Sequence, residues 1–127
     1  MGQTYDVTLS LRFKDEAGAK GALKDKIAKA KEEKVDYNLD HYRSLGVDTE
    51  SLQGLLNVFF GGWYASLAAN ARGDLNAGFD ACYGWETLMM DAFDAMAPFL
   101  ENGSAITIYP DSGVDAGTVA DGKTLWN

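Results

Sequence analysis

The chain has 127 residues, of which 46% are hydrophobic, 12% aromatic and 24% charged, enough for one domain with a real core and too few to divide comfortably into two. Nineteen acidic residues against eleven lysines and arginines leave a formal net charge of −8, which argues against direct binding to DNA or RNA, because affinity for phosphates comes chiefly from basic side chains. No apolar run reaches membrane-spanning length, the N-terminus alternates where a signal peptide would be continuously apolar, and the one cysteine, Cys82, can form no internal disulfide, so a cytoplasmic location without membrane contact is expected.

Residues 4–13, TYDVTLSLRF, alternate strictly. Tyr5, Val7, Leu9, Leu11 and Phe13 point one way and Thr4, Asp6, Thr8, Ser10 and Arg12 the other, which predicts a strand with one wet face, as antiparallel sheets allow. From Asp15 to about Lys34 the period becomes helical, with Ala19, Ala22, Leu23, Ile27 and Ala30 on a thin apolar face and lysines over much of the rest. Residues 35–47 mix a short Val35, Tyr37, Leu39 alternation with Asn, Asp and Gly, and are read as loop with at most a brief strand.

Asp48 is placed to cap a second helix running through Phe60, with Leu52, Leu55, Leu56, Phe59 and Phe60 as core candidates and Gly61-Gly62 as its stop. Two alternating stretches follow, 63–72 and 74–81, separated at Gly73. They predict a β-hairpin. The string Arg72-Gly73-Asp74, which adhesion receptors read outside cells, is therefore read as its bend.

Residues 84–101 give the clearest helix: Trp85, Leu88, Met89, Ala92, Phe93, Met96, Phe99 and Leu100 form one broad apolar stripe, with Pro98 late on the outer side. AITIY, 105–109, reads as a strand, and 118–126 as a hairpin with Asp121-Gly122 at its tip. The expected class is α+β, an antiparallel sheet with helices packed on one face. Its order resembles the βαββαβ of ferredoxin-like sandwiches, with an extra helix and a C-terminal hairpin. That topology implies no particular activity.

Chemistry finds little purchase. His41 is the single histidine, in a polar segment beside Asp36 and Asp40, and lacks both a nucleophile motif and a paired-ligand spacing. Cys82, at the end of an alternating stretch, reads as a small packed side chain. Asp111, Gly113, Asp115 and Gly117 fail the EF-hand template and read as a turn-rich connection. Neither a P-loop nor a dinucleotide fingerprint is present, and Trp63, Tyr64 and Trp126 read as core and sheet-face packing rather than a base-stacking platform. No cofactor and no metal are expected. An enzyme would have to assemble His41, Cys82 or several carboxylates from distant parts of the chain.

The charge is unevenly placed. Residues 14–34 hold seven lysines against five acids, whereas the remainder holds four basic residues against fourteen acids, and 73–122 contain neither lysine nor arginine. A continuous negative potential is expected where Asp80, Glu86, Asp91, Asp94, Glu101 and Asp111 are displayed together. Such a surface suits a basic protein partner, and carboxylates set where phosphates normally sit would make the protein a nucleic-acid mimic. In size, charge and lack of catalytic residues the chain is similar to small acidic inhibitors that phages and mobile elements direct against host nucleases. The expected activity is that of a non-enzymatic binding module, monomeric or a small homo-oligomer; the alternatives are a small cytoplasmic enzyme or ligand-binding domain and a structural or assembly subunit.

Overall fold

The computed structural model describes residues 2–29, 32, 37, 39–61, 68–69, 74–82, 85–110 and 113–127. Among the described residues six strands form one sheet: β1 (Gly2–Ser10), β2 (Ala68–Ala69), β3 (Asp74–Cys82), β4 (Ala105–Pro110), β5 (Asp115–Ala120) and β6 (Lys123–Trp126). Their spatial order is β2-β3-β1-β4-β5-β6, and every neighbouring pair is antiparallel. β3 thus separates β1 from β2, while β1 separates β3 from β4. The molecule is α+β.

The alternation in β1 sets the layers. Tyr5, Val7 and Leu9 are buried, and Leu11 just beyond the strand is buried too, whereas Asp6, Thr8 and Arg12 are exposed. Ile106 and Ile108 of β4 and Val119 of β5 continue the buried face. Two helices, α1 (Glu16–Ala28) and α4 (Trp85–Met96), pack against each other over it. Their Ala19, Leu23, Met89, Ala92, Phe93 and Met96 complete the core. Each leucine, methionine or phenylalanine among them contributes about 1.5–3 kcal/mol on removal from water, and each alanine less.

Helix α1 is shorter than its periodicity suggested. Asp15 is the N-cap, its carboxylate accepting from Gly18 N–H at 3.0 Å, and Lys29 is the C-cap. Ala30 and Lys34 lie outside the described residues.

Two expectations in the middle of the chain are corrected. The segment read as loop contains a helix, α2 (Leu39–Ser44), because Leu39 and Tyr42 three residues apart turn to the core. Burial pushes the Tyr42 phenol up to about 12, so it stays neutral through the physiological range. The helix expected over 48–60 is instead α3 (Leu52–Leu56) followed by a π-helical turn, Asn57–Gly61. Ser51 rather than Asp48 caps it: Ser51 Oγ accepts from Gly54 N–H at 3.0 Å, while the Asp48 carboxylate accepts from Glu50 N–H at 2.9 Å in a preceding turn. The π turn widens the helix so that Val58, Phe59 and Phe60 are all buried. Tyr37 packs on Phe59 with ring centres 5.0 Å apart and on Trp85 at 6.1 Å.

Of the expected hairpin, the described part is the antiparallel pairing of Ala68 with Asn76 and Ala69 with Leu75. Trp63, Tyr64, Arg72 and Gly73 lie outside the described residues, and Asp74 opens β3. Helix α4 ends at Met96 and tightens into a 3₁₀ turn, Ala97–Phe99, because Pro98 can start a short turn but cannot continue the α-helical ladder. Asp115 and Gly117, read as part of a connection, belong to β5. At the β5–β6 turn Asp121 has φ 52° and Gly122 φ 77°, the left-handed pair that a two-residue hairpin of this twist requires.

Candidate functional site

Helix α4 and the β5–β6 hairpin beside it carry the candidate surface. The buried stripe Trp85, Met89, Ala92, Phe93, Met96 orients the helix, which leaves Asp91 and Asp94 on its exposed side. The first turn is held from a distance. Trp85 N–H donates to the Tyr5 hydroxyl at 3.2 Å, the hydroxyl donates to Glu86 Oε2, and the Trp85 indole N–H donates to Phe59 O at 3.0 Å. Glu86 is thereby half-buried and committed to β1, which leaves it less available than Asp91, Asp94 or Glu101.

The hairpin is pinned alongside. Asp121 N–H donates to Asn102 Oδ1 at 2.9 Å, joining its turn to the loop after α4. Trp126 lies edge-on to Phe93 with ring centres 6.0 Å apart, and its indole N–H donates to Asp94 Oδ1 at 3.0 Å. Gly117 permits this, because a Cβ there would stand 2.7 Å from both Thr124 Cγ2 and the Trp126 ring. Sequence reasoning placed Trp126 as packing alone and missed its link to Asp94. A reading of sheet-face packing carries no information about which helix stands over the strand, so the link to Asp94 has no signal in the sequence.

The predicted residues are distributed as follows. Asp91 and Asp94 share the outward stripe of α4, and Glu101 is exposed just past the 3₁₀ turn, where its N–H donates to Arg12 O at 2.7 Å. Asp80 sits in β3 in register with Thr4, on the other side of β1 from β4. Asp111 lies outside the described residues. Of the six, three are therefore seen exposed, Asp91 and Asp94 on α4 and Glu101 beyond it.

Among the described residues the ion pairs lie elsewhere, Lys24 with Glu50 at 3.0 Å and Arg43 with Asp40 at 3.4 Å. The α1 lysines, although α1 packs on α4, do not pair with Asp91, Asp94 or Glu101.

His41 lies in α2 and Cys82 at the end of β3. No group of three or more His, Cys, Asp and Glu side chains able to hold a metal ion occurs among the described residues, and no described helix is long and apolar enough to cross a membrane. No family model, no curated protein and no solved structure matches this chain.

Proposed function

We propose that the protein is a non-enzymatic, cofactor-free binding module whose acidic side engages a basic protein partner, and that it inhibits a nucleic-acid-binding protein or nuclease by occupying its phosphate sites. The observation that carries this reading is the exposure of Asp91, Asp94 and Glu101 without a cationic partner among the described residues, in a stretch of fifty residues devoid of lysine and arginine. Unpaired surface carboxylates of one sign raise the encounter rate with a basic patch and select against acidic partners. The underlying scaffold is read as a ferredoxin-like variant. The order β2-β3-β1-β4 interleaves two split βαβ units, and β5 and β6 extend it at the β4 side.

The test is capture of a nucleic-acid-binding protein from the native cell or its phage-infected host. Capture should be competed by duplex DNA and should weaken steeply as salt rises. The triple variant Asp91→Lys, Asp94→Lys, Glu101→Lys should lose capture. The double variant Asp91→Lys, Glu101→Lys spares the Asp94 bond to Trp126, so it should lose most of the binding while unfolding at the wild-type temperature. Capture unchanged in both variants, or indifferent to salt, rejects the proposal.

A further inference from the structure

β6 is the outermost strand of the sheet among the described residues, and its pairing leaves two residues with unused main-chain groups. The two-residue turn makes Ala120 and Lys123 a hydrogen-bonded pair, and alternation makes Thr118 and Leu125 the next. Asn127 N–H donating to Ala116 O at 2.9 Å continues the same parity. Thr124 and Trp126 therefore turn their N–H and C=O groups away from β5, to a side where no described residue bonds them. An open edge of this kind is a template for another strand.

The two flanks of this edge differ chemically. On the helix side, Thr124 and Trp126 cover Gly117, Trp126 holds Asp94, and Asp91 stands one turn earlier on the same exposed stripe. On the open side stand Leu125, 64% exposed, and exposed Lys123. A strand laid along β6 would send alternate side chains to these two flanks, one set toward carboxylates and the other toward a leucine and an ammonium group.

We propose that the β6 edge accepts an extended segment of a protein partner in which basic residues alternate with uncharged ones, the basic set lying on the helix side. This rests on the reading of the acidic surface given under Proposed function and narrows its partner to one that adds a strand. Charge selects this occupant over a second copy of the chain. Pairing β6 with its own counterpart about a twofold axis would bring two Asp91–Asp94 stripes together, each on a molecule of net charge −8.

The probe is a short, end-blocked synthetic peptide alternating arginine and valine, with binding followed by fluorescence anisotropy at low salt. Opposite residues of antiparallel strands share a face, so the arginines stand opposite Thr124 and Trp126, and it is their amides that point at β6. Methylating the arginine amides should weaken binding about tenfold or more, whereas methylating the valine amides should change it little. Thr124→Pro removes an outward donor without breaking a β5–β6 bond, and should cause a similar loss. Hydrogen exchange at Thr124 and Trp126 N–H should slow in the complex.

Equal affinity for the two methylated peptides, or for a peptide of the same composition with its arginines contiguous, overturns strand addition but leaves the acidic-surface reading standing. Failure of the charge variants to affect partner capture removes that reading separately. If Thr124→Pro does not fold, the methylated peptides on the unaltered protein decide. Concentration-dependent dimers with no peptide binding would give the edge to a second copy and overturn the proposal.

Discussion

Helices α1 and α4 lie side by side on the same face of one sheet, yet they are held in different ways. α1 is capped by its own neighbour, Asp15, and fully buries two residues, Ala19 and Leu23. α4 buries Trp85, Met89, Ala92, Phe93 and Met96, and its first turn is satisfied by the hydroxyl of Tyr5, eighty residues away in the chain. The outer surfaces differ as well. The lysines of α1 are mixed with acids, and Lys24 bridges to Glu50, while α4 shows only carboxylates. The helix with the stronger anchorage is thus the one that can carry uncompensated charge, since its position depends on burial and a long-range hydrogen bond rather than on surface pairing.

That contrast can be broken at three points. The largest effect is expected for Phe93→Ala, which empties a fully buried site beneath α4 and removes the ring against Trp126; it should cost about 3–5 kcal/mol in denaturant unfolding. Tyr5→Phe should follow at about 1–3 kcal/mol, because it deprives Glu86 of its donor and the Trp85 amide of its acceptor in a buried setting. Asp15→Ala should be smallest, about 1 kcal/mol, the usual worth of a local N-cap. Hydrogen exchange separates the causes: Tyr5→Phe should loosen the first turn of α4, and Asp15→Ala the first turn of α1 alone. A loss at Asp15 equal to that at Phe93 would dissolve the distinction between the two helices.

Much of this scaffold was legible. The alternation of 4–13, the broad stripe of 84–101 and the Asp121-Gly122 tip each carried a period or turn signal strong enough to survive tertiary packing. The misreadings fell where local signals competed. Asp48 and Ser51 both suit an N-cap, and only the geometry of the turn decided for Ser51. Residues 39–44 are too short and polar to announce a helix, which forms because Tyr42 and the Tyr37–Phe59 contact draw the chain inward. The candidate site was legible only in part: exposure of Asp91 and Asp94 follows from helical period, whereas the diversion of Glu86 to Tyr5 and of Asp94 to Trp126 depends on strands remote in sequence.

By itself, then, the amino-acid order determined the elements with strong periodicity, the side of each that faces inward, and the negative charge of residues 73–122, which hold neither lysine nor arginine, because these depend on spacing along one strand or helix and on composition. Only the tertiary structure decided which carboxylates stay on the surface, that Trp126 stands beneath Asp94, and that Thr124 and Trp126 turn main-chain groups away from β5 to a side where no described residue bonds them. Those outcomes depend on strand order and on which element lies above which, and neither is encoded in the neighbours of any one residue.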